Sequence, residues 1–225
     1  MDQEIINSFS KLSGLNVSRE TFSDFESYIS MILEKNEKIN LISDKFSQKN
    51  DIIERHIIDS AQIIDIIDFN SNTTTDIGSG SGMPGIIIAI LLKSLKKDIK
   101  VKLYEKSYHK SHFLKDVSTK LNLKPEIIQK NIFEEKKIET GTIMSRAFKP
   151  MPVVLDLVNE NFSNFSNIIY FMDKSGREIF QNTLKDWDLD YSEKKSLTSK
   201  ESFLVNVKKI KKKLKKKTKC KLFQL

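Results

Sequence analysis

The run Asp76-Ile77-Gly78-Ser79-Gly80-Ser81-Gly82 sets a carboxylate ahead of three alternate glycines. Glycine adopts positive φ freely and lacks a Cβ, so such a turn lets backbone N–H groups come close to a ligand. The acid in front suits a cation and repels a pyrophosphate. Glu105, 20 residues beyond Gly85, can accept both hydroxyls of a ribose through its two oxygens. Further on, Ile132 and Phe133 follow Asn131 and offer an apolar slot for a base ring. Together these residue types describe a cradle for a nucleoside with a charged arm. Cys220 is the single cysteine and sits among lysines, which excludes a disulfide framework, a Cys-based metal cluster and a cysteine nucleophile in the sheet. No base–nucleophile constellation stands out, and no metal site is expected.

Two cofactors use such a loop. Gly80-x-Gly82-x-x-Gly85 matches the dinucleotide fingerprint, with Glu105 as its ribose acid. In that fold the first glycine directly follows the strand, and counting from Gly78 puts Met83 where the last glycine belongs. The other pattern, Asp76-x-Gly78-x-Gly80-x-Gly82, is that of S-adenosylmethionine (SAM) methyltransferases, whose strand-end acid holds the methionine ammonium directly or through water. Asp76 therefore favours a sulfonium amino acid over NAD, and a purely structural glycine turn is the remaining alternative.

The elements that must position these residues are legible in the spacing. A β-branched run over 73–77 feeds the glycine turn, and Pro84 opens an apolar helix over 85–95. Strands over 99–105, 126–129, 143–146 and 168–172 alternate with helices over 107–121 and 151–158, and β-like stretches follow at 187–191 and 203–207. This alternation predicts an α/β fold, Rossmann-like and mostly parallel, with helices on both faces. The first 70 residues read as helices: one over 2–12, one after Ser18 with Phe22, Phe25, Ile29, Ile32 and Leu33 on one face, and one over 50–67. The expected organisation is a helical extension over 1–70, a methyltransferase domain over 71–207 and a lysine-rich tail over 208–225.

The charge is unevenly placed. The chain of 225 residues has a formal net charge of +8, yet residues 200–221 hold 11 lysines against one glutamate. The remaining 27 basic and 29 acidic side chains leave the rest at −2. Such a tail either tracks a phosphate backbone by counterion release or is simply solvated. With 39% hydrophobic and 30% charged residues a packed core is expected. No apolar run approaches 18 residues and the opening Met1-Asp2-Gln3-Glu4 is acidic, which predicts a soluble, cytoplasmic protein with no membrane contact.

Several segments together resemble the RsmG (GidB) family of bacterial small-subunit rRNA methyltransferases: Glu54-Arg55-His56-Ile57-Ile58-Asp59-Ser60, the stretch from Asp76 to Gly85 with its Met83-Pro84-Gly85 end, and Ser145-Arg146-Ala147-Phe148. Asn40-Leu41-Ile42 and Lys110-x-x-Phe113-Leu114 add to the likeness, which runs from about residue 40 to 174. It implies SAM-dependent methyl transfer to N7 of guanine 527 in 16S rRNA, on rRNA or the small ribosomal subunit, and a monomer is expected. By position it assigns Gly78, Met83, Ile132, Phe133 and Arg146 to SAM, beside the Asp76, Gly80, Gly82 and Glu105 of the loop argument. It assigns Arg55, His56, Asp59, Lys110, Arg146 and Lys174 to the RNA-facing side. Two departures stand out: Asn131 occupies a position commonly arginine, and Lys174-Ser175-Gly176 carries an extra residue before the glycine. Taken without the likeness, Arg55 and Asp59 read as a surface i,i+4 ion pair and His56 as a core histidine. A SAM enzyme for a small molecule or protein, or an RNA-binding protein that keeps the fold without turnover, are the alternatives.

Overall fold

The computed structural model describes residues 18–43 and 49–214. Helix α1 (Arg19–Asn36) begins at Ser18, whose hydroxyl accepts from the Thr21 amide at 3.2 Å. Its inward face carries Phe22, Phe25, Tyr28, Ile29 and Ile32. The helix expected over 50–67 is broken into pieces: α2 (Lys49–Ile52), a π-helical turn (Ile53–Ile58), α3 (Asp59–Ala61) and a 3₁₀ turn (Ile64–Ile66). The wide turn leaves the Arg55 carbonyl to accept from Arg146 Nη2 at 2.6 Å, so the irregularity serves the site. The helix expected over 2–12 lies outside the described residues.

Then come β1 (Thr73–Ile77), α4 (Gly85–Ser94), β2 (Lys100–Tyr104), α5 (Tyr108–Lys120), β3 (Glu126–Ile128), β4 (Ile138–Glu139) and β5 (Thr142–Arg146). The chain continues through α6 (Met151–Asn161), β6 (Phe162–Asn164), β7 (Asn167–Met172), α7 (Lys174–Asp186), β8 (Trp187–Lys195) and β9 (Phe203–Lys212). Seven strands form one sheet in the order β3-β2-β1-β5-β7-β9-β8, parallel as far as β7 and antiparallel for β9 and β8. β4 and β6 pair separately. The sheet is thus mostly parallel, with an apolar layer on each face, one joined to α1, α4 and α5 and one to α6 and α7. α4 is buried from Gly85 to Leu92 because it lies between the sheet and α1, where Thr21 bonds Ser94 at 2.8 Å and Lys93 meets Asp24 at 3.0 Å.

Strand order reverses between β1 and β5, and at such a point the carboxyl ends of parallel strands open a crevice. The ends of β1, β2, β3 and β5 present the glycine turn, Glu105, Asn131 and Arg146 along that edge. Lys208–Lys212, expected in the tail, instead form the end of β9. Their strand conformation is supported by the β8 register, which sets Asp190 opposite Lys209 and Asp188 opposite Lys211.

Candidate active site

The glycine turn is a folded strap rather than an open loop. Gly78, Gly80 and Gly82 have φ of +72°, +57° and +101°, which only glycine adopts without strain. The Gly78 and Ser79 amides both donate to the Tyr104 carbonyl, at 3.0 and 2.9 Å, pinning the turn to the end of β2. A Cβ on Gly78 would stand 2.1 Å from the Phe148 ring, so the absence of a side chain is a packing requirement there. Tyr28 of α1, fully buried, donates its hydroxyl to the Ser81 carbonyl at 2.7 Å and supports the turn from below.

Asp76 lies under this strap, 1% exposed, with Oδ2 accepting from the Gly85 amide at 3.0 Å. Burial pushes its carboxyl up to about 7, against the lowering effect of the Gly85 and Ser79 hydrogen bonds and Arg146 and with a further rise from Glu105. Its charge is therefore sensitive to whatever cation approaches the turn.

A cavity of about 470 Å³ opens over the turn, within the range of small-ligand sites. Gly78, Gly80, Glu105, Ile132 and Phe133 line it, and Phe148 closes one side. Asp76, Gly82 and Met83 stand outside the lining. Glu105 is nearly buried and its two oxygens accept from the Gly80 amide (2.9 Å) and the Ser107 amide (2.7 Å). Each carboxylate oxygen has a second lone pair, so both remain able to accept hydroxyls. Phe133, 38% exposed, stacks on Phe148 with ring centroids 6.0 Å apart. Buried Ile132 completes an apolar slot, and Asn131 caps the short turn that presents it. Lys106, Lys110, Lys130 and Lys149 stand at the rim. These groups fit an adenosine with a cationic arm: an acid for the ribose, an apolar slot for the base, and a buried carboxylate near the turn. Two larger hollows, about 700 and 690 Å³, contain no glycine turn, the first of them adjoining the cavity at Lys110, so size does not mark the site.

A second cavity of about 460 Å³ shares Ala147, Phe148 and Lys149 with the first and is completed by Arg146, Phe171 and Asp173 among others. Ala147 has φ +49°, a left-handed conformation unusual for a residue with a side chain, at the wall between the two chambers. Arg146 is held rather than free. Nη2 reaches Asp59 at 3.3 Å besides the Arg55 carbonyl, Nη1 bonds His56 Nδ1 at 3.1 Å, and the Phe171 ring lies 5.7 Å away. Burial pulls the guanidinium below its usual value and Asp59 opposes this. Because arginine only donates, His56 Nδ1 must accept, which places the imidazole proton on Nε2. Burial, with Arg146 and Arg55, pushes His56 down to about 3, so it is neutral at physiological pH.

The Asp59 carboxylate faces inward. Oδ1 accepts from Gln62 and Ser196, both at 2.8 Å, and from Thr198 at 3.3 Å, while Oδ2 meets Arg146. The surface-pair alternative for Asp59 gives way to this buried cluster. Arg55 is exposed on the same turn, and Lys110 lines the first cavity. Lys174 is exposed, 3.9 Å from Glu201 and outside the lining of the second cavity, which instead takes its neighbours Asp173, Ser175 and Gly176. Tyr28, Lys149 and Phe171 carry no sequence signal of their own, and Phe148 stands in the Ser145–Phe148 motif without an assigned role, although Phe148 and Lys149 lie two and three residues after Arg146 at a strand end, where a ligand edge is expected. Among the described residues no group of three or more His, Cys, Asp or Glu could hold a metal ion.

A family model described as rRNA small subunit methyltransferase G, GidB, matches residues 21–212. The ribosomal RNA small subunit methyltransferase G of Pelagibacter ubique is 56% identical over 212 residues, covering 94% of this chain and 99% of that one. That of Bartonella tribocorum is 30% identical, covering 92% and 97%. Among solved structures, an O-methyltransferase from Bacillus cereus in complex with SAH superposes with a TM-score of 0.53, covering 81% of this chain and 91% of that one at 15% identity. At that identity the likeness is one of fold.

Proposed function

The chain belongs to the rRNA small subunit methyltransferase G family, and from that premise we propose that it transfers a methyl group from SAM to N7 of guanine 527 in 16S rRNA. The observation that carries this is the pair of chambers, about 470 and 460 Å³, meeting at the Ala147–Phe148–Lys149 wall on the carboxyl edge of the sheet. The first holds the donor: Glu105 takes the ribose hydroxyls, Ile132 and Phe133 the adenine, and Asp76 stabilises the ammonium through the turn. When bound, SAM supplies an electrophilic methyl on its sulfonium. The second chamber takes the base.

Guanine N7 carries a lone pair and no proton, so the chain needs no general base, and His56 is neutral and already committed to Arg146. What the protein provides is orientation and exclusion of water, which can supply on the order of 7–11 kcal/mol of a barrier. Arg146 acts here as a positioning residue that fixes His56 and the π-helical turn against the sheet. Lys149, on the shared wall, and Lys110, at the rim, offset phosphate charge. The substrate is the 16S rRNA or the small ribosomal subunit, and the enzyme acts as a cytoplasmic monomer. No described helix is long and apolar enough to cross a membrane.

The test is transfer of labelled methyl from SAM to small subunits from a strain lacking this modification, with the modified base mapped. N7-methylguanine at position 527 is expected; labelled RNA methylated elsewhere, or no labelled RNA, overturns the assignment.

A further inference from the structure

Outside both chambers, the first half of α5 carries an exposed aromatic cluster with no part in the chemistry above. Tyr108 is 62% exposed. Its ring lies over His112, centroids 6.0 Å apart and planes 16° from parallel, and edge-on to His109 at 5.6 Å. The i,i+4 spacing fixes Tyr108 and His112 on one helix face, which Lys115 continues. Lys106 and Lys110 flank it and also line the donor cavity, so this patch runs into the site. Among the described residues, no carboxylate lies within ion-pair distance of Lys106, Lys110 or Lys115. Of the lysines of β9, only Lys212 has a carboxylate at ion-pair distance among the described residues, Asp156, while Lys209 and Lys211 face Asp190 and Asp188 in register without an ion pair.

We propose that this face of α5 receives an unpaired base of the substrate RNA on the Tyr108 ring, with Lys106, Lys110 and Lys115 against the neighbouring phosphates. This rests on the rRNA reading above and adds to it a single-stranded contact beside the donor chamber. An exposed ring backed by a second ring in parallel, with unpaired cations around it, matches the two needs of a single strand: a π-face for a base and positive charge along the backbone. A duplex offers no free base face to such a ring.

The full chain is compared with Tyr108→Ala and Tyr108→Phe, measuring anisotropy of a labelled single-stranded RNA oligonucleotide and methyl transfer to unmodified small subunits. Tyr108→Ala should weaken oligonucleotide binding roughly 5- to 150-fold, the loss expected for one base–aromatic stack. The KM for subunits should rise with kcat and SAM affinity unchanged, and Tyr108→Phe should stay within about twofold of the parent. Parent-like binding by Tyr108→Ala overturns the proposal, as does an equal loss in Tyr108→Phe. A change in the sedimentation of the free protein on Tyr108→Ala would reassign the face to a second copy of the chain and overturn it too. If Tyr108→Ala loses RNA affinity in a protein that methylates no guanine, the reaction fails and the stacking face stands; a parent chain that methylates subunits but has no affinity for the oligonucleotide overturns the stacking face and leaves the rRNA reading in place.

Discussion

Asp76→Asn separates the electrostatic role of the strand-end acid from its role in shaping the turn. Burial pushes the Asp76 carboxyl from its usual 3.8 up to about 7. At 1.36 kcal/mol per pH decade, keeping it ionised in the unliganded fold costs about 4 kcal/mol. The sign follows from proton binding: between pH 3.8 and about 7 the folded chain holds a proton that the unfolded chain has lost. The Asp76 contribution to stability is therefore fully present below about 3.8 and is lost as pH rises through about 7. A cationic amino group in the donor chamber favours the ionised carboxylate, so SAM binding should release a proton. With a carboxyl near 7, the apparent SAM affinity should rise about 15-fold between pH 5.5 and 7. Calorimetric titration in buffers of different ionisation enthalpy measures both the affinity and the proton count. Asp76→Asn keeps an acceptor for the Gly85 amide, so the fold should persist while affinity falls and its pH dependence flattens. A flat wild-type affinity across this range, or the same slope in the Asn variant, would refute the reasoning.

Gly78→Ala should destabilise the protein by about 1–2 kcal/mol from the left-handed backbone alone, before the Phe148 clash is added, and weaken SAM binding. A thermal melt and a SAM titration matching the parent would exclude that account. Arg146→Ala should leave the Asp59 carboxylate buried without its cation, a loss of about 3–5 kcal/mol in urea denaturation, and Asp59→Asn in the same chain should recover part of it. Losses that simply add within about 0.5 kcal/mol would show the two to be independent. His56, pushed down to about 3, should show no NMR titration from pH 5 to 8, and its contribution to stability should grow as pH rises from about 3 to 6.5, the sign opposite to Asp76. An imidazole titrating near 6.5 would break the assigned tautomer.

The glycine turn and its cavity were legible because their signals are local. A β-branched strand, a glycine turn and an apolar helix follow one another in sequence, and Gly78, Gly80, Glu105, Ile132 and Phe133 line one cavity, while Asp76, Gly82 and Met83 stand outside it. Elements stabilised from afar left weaker marks. α7 is amphipathic, with Phe180 and Thr183 inward, but it is polar overall and carries Gly176 in its first turn, and these mask its period. β4 and β6 are too short to show alternation. β8 is exposed along nearly its whole length after Trp187, held by pairing to β9 rather than by an apolar face. At the second cavity, Arg146 was legible as a strand-end residue but its partners were not. Nothing near Tyr28 in sequence points to Ser81, and nothing near Asp59 points to Ser196 or Thr198. Lys174 matched by position, yet the helix it begins turns it to solvent.

One carboxylate joins stretches of chain that are distant in sequence. Asp59 receives Gln62 from its own helical segment, Arg146 from the end of β5, and Ser196 with Thr198 from the connection between β8 and β9. A fragment beginning after residue 70 would carry the whole sheet but strand that arginine and those hydroxyls together, with no anion to gather around. The helical extension therefore works less as an appendage than as a clasp, and loosening the β8–β9 hairpin should be felt first at the cavity around Arg146.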